Sequence, residues 1–268
     1  MKCLEYHPTD ETFLNDMQYY FTPEEQMEAR EKAGVVPGKW RKGREINRIA
    51  LPITRECNRN CPECSAREAD PSWRGTDTNI TIDELKWAGK TLGPIKTIEL
   101  TGGEPSIHPD FKEISEHIHD WFDCKDIMVL TNAVELYKNR EKLPLLLNYD
   151  RVYISWYTNN FAVKYHTDAN TEAVNFVEDY LKKNGRPVWI QRMDSHDNIG
   201  KPPYTGICKY GYDRGDSVGY GDKRIYGCCT SFWLRDKGKS IPLTTDWRGH
   251  LSEIELPCQS CFISGEKK

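Results

Sequence analysis

Three cysteines stand close together in the stretch TRECNRNCPECS, residues 54–65. Cys57, Cys61 and Cys64 have the spacing C-x3-C-x2-C, with no fourth cysteine beside them. A structural zinc site takes four ligands, and a disulfide framework needs an even number of cysteines. Three thiolates that bind an iron–sulfur cluster leave one iron open to a ligand from outside the protein. The competing interpretation is a zinc knuckle, because CPEC alone has zinc-like spacing.

Alternating strand and helix patterns surround this triplet and continue to residue 193. Strands are predicted at 46–54, 96–101, 126–131, 151–158 and 186–193, and helices at 81–93, 109–122, 140–148 and 170–185. Such alternation predicts βαβ units and a parallel sheet. About five units are too few for an eight-unit closed barrel, so we expect an open or partial barrel. The triplet follows the first strand, at the carboxyl edge where the active sites of such sheets lie.

The second strand ends in ELTGGEPSIHPDF, at the same predicted edge as the triplet. Gly102 and Gly103 would let a ligand approach the backbone closely. The carboxylate of Glu104 can accept hydrogen bonds from an ammonium group, and Pro105 follows it. On its own, GGEP is also typical of a tight turn after a strand.

The cysteine triplet and GGEP together resemble the radical S-adenosylmethionine (radical SAM) superfamily, over about residues 46–195. The resemblance implies a partial (β/α)6 barrel whose three cysteines hold a 4Fe–4S cluster, with the unique iron chelated by S-adenosylmethionine (SAM). It also implies that GGEP contacts the methionine ammonium. One electron from the cluster would cleave SAM and give a 5′-deoxyadenosyl radical, which abstracts hydrogen from a substrate.

Further positions match the family pattern less fully. Ser155 on the fourth strand aligns with a residue that contacts the ribose, although it could simply line the barrel, and Asn132 ends a TNA segment similar to the family's TNG. On the fifth strand, Gln191 and Arg192 could each reach the cofactor or the substrate. Glu63 departs from the pattern, because the family usually has an aromatic residue before the third cysteine. The period-two pattern of the fourth strand directs Tyr153, Ser155 and Tyr157 toward the barrel interior, and Val152, Ile154 and Trp156 toward the helices.

After residue 200 the sequence is rich in Gly, Tyr and Asp and contains a second group of cysteines. Cys208, Cys228 or Cys229, Cys258 and Cys261 offer four thiolates, which suit either zinc or an iron–sulfur cluster. After a radical SAM barrel, this arrangement resembles the twitch module, a shortened SPASM domain with an auxiliary 4Fe–4S cluster. We prefer Cys228 to Cys229 as the ligand. The stretch SIPLTTDWRGHLSEIEL predicts a β-hairpin with DWRG as its turn.

We therefore predict a helical extension at 1–44, a radical SAM partial barrel at 45–200 and a small cysteine-rich β-hairpin and loop module at 201–268. The layout is similar to that of the 2-deoxy-scyllo-inosamine dehydrogenases, which oxidise a cyclitol alcohol. An auxiliary cluster could accept the electron of a substrate radical, so the resemblance predicts a two-electron oxidation of a small molecule or a peptide side chain. It also implies a reduced electron donor of the flavodoxin or ferredoxin type.

Removal of a proton from an alcohol needs a base, and histidine is the usual candidate. His117 and His119 belong to a predicted helix and are expected at the surface. His166 and His196 follow strands four and five, nearer to the predicted site, and His108 follows GGEP.

Composition limits the other functions. The formal net charge is −4, from 37 basic and 41 acidic residues, which argues against nucleic acid as a partner. The basic stretch at 39–48 keeps one alternative open, namely the modification of a nucleic acid or a modified base. A second alternative is a non-catalytic, zinc-binding interaction protein. The sequence contains no apolar run long enough for a membrane helix and no signal-peptide pattern, and its ten cysteines favour a reducing compartment, so we expect a cytoplasmic protein.

Overall fold

The computed structural model describes residues 46–61, 64, 79–165, 167–193, 217–227 and 240–254. The predicted N-terminal extension, His166, His196 and the cysteines from Cys208 onward lie outside the described residues. The strands are β1 (Arg48–Thr54), β2 (Ile95–Gly102), β3 (Cys124–Thr131), β4 (Arg151–Tyr157), β5 (Val188–Met193), β6 (Ser217–Gly221), β7 (Arg224–Tyr226) and β8 (Ser240–Pro242). The α-helices are α1 (Ile82–Leu92), α2 (Phe111–Trp121), α3 (Val134–Lys138), α4 (Asn159–Tyr165) and α5 (Thr171–Lys183). The 3-10 helices are Pro105–Ile107, Arg140–Asn148 and Trp247–Glu253.

The strands form one mostly parallel sheet in the order β5-β4-β3-β2-β1-β6-β7-β8. Strands β1 to β5 pair in sequence, each parallel to the next. β6 is parallel to β1 but joins it on the side away from β2, and β7 and β8 continue the sheet in antiparallel pairs. The α/β class and the five successive parallel strands are therefore confirmed. The position of β6 beside β1 was not foreseen.

The core lies between one face of this sheet and the helices. Alternate strand residues are fully or almost fully buried on that face, as in Ile49, Leu51, Ile53, Ile98, Leu100, Ile127, Val129, Val152 and Ile154. The helices contribute the apolar residues Leu85, Ile114, Val177 and Leu181 to the same cluster. Each fully buried side chain of this kind contributes about 1.5–3 kcal/mol, which fixes the register of every strand. The carboxyl ends of β1 to β4 are thereby held at one edge.

Helix α1 begins and ends as its sequence predicts. The Oγ1 atom of Thr81 accepts a hydrogen bond from the backbone N–H of Glu84 at 3.1 Å, which satisfies one of the free donors of the first turn. At the other end, Trp247 and Arg248 donate to the carbonyl oxygen of Leu92 at 3.2 and 2.7 Å. The C-terminal 3-10 helix therefore caps α1.

The predicted hairpin after residue 240 is wrong. β8 ends at Pro242 and the chain continues into the 3-10 helix Trp247–Glu253. Trp247 and Leu251 of this helix are both buried. The hairpin of this region is β6–β7 instead, where Asp222 and Lys223 have φ of 50° and 56°, the conformation of a two-residue type I′ turn. Among the described helices, none has the length and apolar character required to cross a bilayer.

Candidate active site

The cysteine loop begins directly after β1, at the carboxyl edge of the sheet. The Oγ1 atom of Thr54 accepts a hydrogen bond from the backbone N–H of Glu56 at 3.0 Å, which turns the chain away from the strand. Cys61 is buried, whereas Cys57 and Cys64 are half-buried, and all three are free thiols. The loop that carries the three predicted cluster ligands is therefore anchored at the end of β1.

The GGEP turn packs directly on the backbone of this loop. The N–H groups of Gly103 and Glu104 donate to the carbonyl oxygens of Thr54 and Glu56, each at 2.8 Å. A Cβ on Gly102, where φ is +134°, would lie 2.2 Å from the Thr54 oxygen, and one on Gly103 would lie 2.0 Å from the Glu56 oxygen. Both distances are far below van der Waals contact. The glycines are thus required for the contact between the turn and the cysteine loop, whatever ligand approaches them.

The carboxylate of Glu104 points into the protein and is 1% exposed. One oxygen accepts hydrogen bonds from the Thr131 hydroxyl at 2.7 Å and from the Ser106 hydroxyl and N–H at 2.6 and 3.3 Å. The other oxygen accepts from the N–H of Asn132 at 2.7 Å. Burial raises the pKa of Glu104, and these hydrogen bonds oppose the rise. Glu104 thereby joins the ends of β2 and β3, while its predicted contact with an ammonium group stays a prediction.

Asn132 connects the end of β3 to the cysteine loop. Its Nδ2 donates to the Oδ1 of Asn58 at 2.9 Å and lies 3.9 Å from the sulfur of Cys57. Its Oδ1 accepts from the N–H of Val134 at 3.0 Å, so the amide is held in one orientation at the start of α3. The structure therefore brings Asn132 to the first cysteine, and its predicted role in cofactor binding stays a prediction.

Asn170 joins the ends of β3 and β4, a role that the sequence did not suggest. This buried side chain donates to the carbonyl oxygens of Asn132 at 2.7 Å and Ser155 at 2.8 Å, and accepts from the N–H of Tyr157 at 2.7 Å. The only sequence signal was its position just before a helix, which is typical of an N-cap. Its side chain instead turns back to the sheet edge, and no side-chain cap bond forms on α5.

Gln191 and Arg192 lie on opposite faces of β5. Gln191 is in register with Ser155, and Arg192 with Trp156. Trp156 donates to the Oγ1 of Thr171 at the start of α5, and the Arg192 guanidinium lies 5.4 Å from the centroid of the Trp156 ring. Residues in register share a face of a sheet. Gln191 therefore lies on the inner face with Ser155, whereas Arg192 lies on the face that carries the helices.

The described histidines have structural environments. His108 is buried, its Nδ1 accepts from the N–H of Asp110 at 3.0 Å, and its Nε2 lies 3.1 Å from the carbonyl oxygen of Ile80. Burial lowers the pKa of His108. The neutral ring, protonated on Nε2, satisfies both contacts, so it ties the GGEP segment to the start of α1. His117 and His119 are exposed on α2, as predicted.

The donor chemistry of the cysteine loop fits an iron–sulfur cluster. Burial, followed by the charges of Glu104, Cys61 and Cys64, raises the pKa of Cys57 to about 12. A thiol of this kind ionises at neutral pH only when a metal cation compensates for the lost hydration. A 4Fe–4S cluster takes each thiolate on a separate iron, and thiolate is its preferred ligand.

Comparison with known proteins identifies the family of the chain. The sequence model of the Radical SAM superfamily matches residues 51–193, more than half of the chain. The chain belongs to the radical SAM superfamily. The superfamily match implies that SAM and a 4Fe–4S cluster are bound, and it runs from the second half of β1 through the cysteine loop to the end of β5.

Several curated relatives are named GTP 3',8-cyclases or probable GTP 3',8-cyclases. The probable enzyme from Pyrococcus abyssi is 36% identical over 113 residues, which are 42% of this chain and 35% of that protein. The enzyme from Klebsiella pneumoniae subsp. pneumoniae is 29% identical over 101 residues, 37% of this chain and 31% of that protein. This radical SAM chain thus spans about a third of the length of these relatives.

Solved radical SAM structures are similar at low identity. BtrN in complex with AdoMet and 2-DOIA gives a TM-score of 0.48 at 13% identity, covering 78% of this chain and 88% of BtrN. Methylornithine synthase (PylB) gives a TM-score of 0.42 at 17% identity, and the match covers 69% of this chain and 56% of PylB. Streptococcus suis SuiB bound to precursor peptide SuiA gives a TM-score of 0.39 at 11% identity, and the match covers 92% of this chain and 73% of SuiB.

Proposed function

We propose that this chain is a radical SAM enzyme in which Cys57, Cys61 and Cys64 hold the 4Fe–4S cluster that binds SAM. When bound, this pair supplies one-electron cleavage of SAM and the radical that abstracts hydrogen from the substrate. One observation carries the proposal: the cysteine loop, the GGEP turn and Asn132 are joined by direct hydrogen bonds at one edge of the sheet.

The residues around the loop position it before any cofactor arrives. Gly103 and Glu104 bind the backbone that leads to Cys57, and Asn132 fixes the side chain next to that cysteine. The Glu104 carboxylate accepts four hydrogen bonds from the protein and so holds the turn, and its contact with the methionine ammonium of SAM remains part of this proposal. Gly102, Gly103 and Pro105 then form the part of the turn that meets the methionine end of SAM.

The inner face of the sheet is the proposed place for the rest of the cofactor and for the substrate. Ser155 and Gln191 lie there in register on β4 and β5, and both can donate or accept hydrogen bonds. Arg192 is on the face that carries the helices, so we assign no contact with SAM to it. A reduced flavodoxin- or ferredoxin-type protein supplies the electron in this proposal.

We further propose a two-electron oxidation of a small molecule or a peptide side chain. The 5′-deoxyadenosyl radical would take one hydrogen atom from the substrate, an auxiliary 4Fe–4S cluster on Cys208, Cys228, Cys258 and Cys261 would accept the second electron, and a base or water would accept the remaining proton. The support for this step is the set of four cysteines and its resemblance to the twitch module, since these residues lie outside the described part of the chain. A nucleotide substrate is the second candidate, because the curated relatives are named GTP 3',8-cyclases.

The test is anaerobic purification followed by iron, sulfide and zinc analysis and a SAM-cleavage assay with dithionite. Two clusters require about eight irons per chain. We expect Cys57→Ala to abolish formation of 5′-deoxyadenosine, whereas Cys258→Ala retains cleavage but loses the product. Cys124→Ala is the matched control, since this half-buried cysteine begins β3 at the opposite end of the strand from the site.

Purified protein that contains zinc and no sulfide would contradict the proposed enzyme function and support the zinc-binding alternative. Equal loss of cleavage in folded Cys57→Ala and Cys258→Ala would contradict the auxiliary role alone. Deuterium transfer into 5′-deoxyadenosine from a labelled candidate, with GTP among the candidates, distinguishes a nucleotide substrate from the others.

A further inference from the structure

Arg59 lies inside the cysteine loop, between the first two cysteines, yet it is only 7% exposed. Its Nε donates to the sulfur of Cys61 at 3.4 Å, and its backbone N–H donates to the sulfur of Cys57 at 3.5 Å. A buried cation needs compensating negative charge. The thiolates of a loaded cluster place that charge directly against this guanidinium.

The same side chain fastens the loop to the far side of the site. Its Nη2 donates to the carbonyl oxygen of Asp168 at 2.6 Å, in the segment between α4 and α5. Its guanidinium carbon lies 4.4 Å from the centroid of the Tyr157 ring, at the end of β4, and Phe161 packs edge-on against that ring at 4.9 Å. The Arg59 side chain therefore connects the cysteine loop, which follows β1, to the end of β4. In the sheet, β4 lies two strands away from β2, which carries the GGEP turn.

Only arginine makes these contacts together. The planar guanidinium can stack on a ring while it donates in its plane in two directions, toward a sulfur and toward a carbonyl oxygen. A lysine in its place keeps the positive charge but loses the two in-plane directions of donation and the stacking on the Tyr157 ring. The exchange to lysine therefore separates the geometric contribution of Arg59 from its electrostatic contribution.

We propose that Arg59 is a positioning residue that clamps the cysteine loop onto Tyr157 and Asp168 and that its charge favours the reduced state of the cluster. The second half rests on the proposed function. Reduction adds one negative charge to the cluster, and a fixed neighbouring cation stabilises that charge more than it stabilises the oxidised state. Loss of the charge therefore makes reduction harder.

The clamp is tested on the apo-protein, by hydrogen–deuterium exchange of a peptide covering residues 55–61. We expect exchange at least tenfold faster in both Arg59→Lys and Arg59→Gln than in the wild type. Arg140→Gln is the matched control, because Arg140 also stacks on a ring, that of Phe176 at 4.6 Å, but far from the loop. Unchanged protection of the loop in both Arg59 variants would overturn the proposal.

The charge effect is tested on the loaded protein, by a redox titration followed by electron paramagnetic resonance. In Arg59→Gln the ratio of reduced to oxidised cluster at a fixed potential should fall at least tenfold, which is about 59 mV for a one-electron couple. In Arg59→Lys this ratio should stay within threefold of the wild-type ratio. A purely structural role of Arg59 would not make the two variants differ in this way. A ratio in Arg59→Gln within twofold of the wild type overturns the charge effect. A wild type that binds no iron and sulfide contradicts the proposed function, while the exchange result still decides the clamp.

Discussion

Replacement of Gly103 by alanine directly tests the contact between the GGEP turn and the cysteine loop. The new Cβ would lie 2.0 Å from the carbonyl oxygen of Glu56 and 2.8 Å from that of Arg55. Carbon and oxygen that are not bonded need about 3 Å or more, so one backbone must move by about 1 Å. Neither neighbour is a flexible side chain that could rotate away.

The expected cost follows from the contacts that this movement disrupts. The two hydrogen bonds from Gly103 and Glu104 to the loop backbone are each 2.8 Å long. Each contributes about 1 kcal/mol, and forcing an extra methyl group into a packed site costs about 1–3 kcal/mol. The free energy of unfolding should therefore fall by about 3–5 kcal/mol, and the displaced loop should retain less iron.

Two further glycines provide matched controls for the assay, which measures urea unfolding of the apo-protein and iron per folded chain. Gly249→Ala should change neither quantity, because a Cβ there meets nothing within 4 Å. Gly89→Ala should lower stability but keep iron binding, because its Cβ would lie 1.9 Å from the Trp121 oxygen, between α1 and α2 and away from the site. The reasoning is refuted if Gly103→Ala keeps its full iron content and unfolds within about 0.5 kcal/mol of the wild type.

Two other predictions concern the polar contacts around the site. Asn170→Ala leaves two carbonyl groups and one N–H without their present partner, so the free energy of unfolding should fall by about 2–4 kcal/mol, whereas exposed Asn184→Ala should change it by less than about 0.5 kcal/mol; equal effects would contradict the role of the network. The lowered pKa of His108 means that the unfolded chain binds the proton more readily, so its contribution to stability is complete above about pH 6.5 and is lost as the pH falls through the folded pKa. Urea unfolding at several pH values should show a smaller loss of stability toward acid in His108→Gln than in the wild type, and equal losses would contradict the reasoning.

The strands and helices between residues 46 and 193 follow from local sequence patterns. Alternating apolar residues predicted β4 with Val152 and Ile154 toward the helices, and both are fully buried there. The N-cap residue Thr81 and the helical spacing of apolar residues predicted α1 in the same way. These elements were predictable because period and capping are properties of neighbouring residues. The short helices α3 and α4 lacked so clear a pattern and were missed.

The polar network of the site was not predictable because its partners are distant in sequence. Arg59 reaches a carbonyl group 109 positions away, and Asn170 reaches one 38 positions away. The sequence predicts that Glu104 accepts hydrogen bonds from an ammonium group, but it gave no sign of the four protein donors that the structure places on this carboxylate. The pairing of β6 with β1 likewise depends on which sheet edge is open after β5, and no local signal states this.

The position of β6 also affects how the protein can be made and shortened. During synthesis β1 can pair with β2 once residue 102 has emerged, but its other edge waits for β6. At about 5–20 residues per second this interval lasts roughly 5 to 25 s, during which an open strand edge can pair with another chain. A fragment trimmed to residues 46–193 would make that temporary exposure permanent, because it keeps the edge of β1 at Arg48–Ala50 but removes the strand that covers it in the full chain.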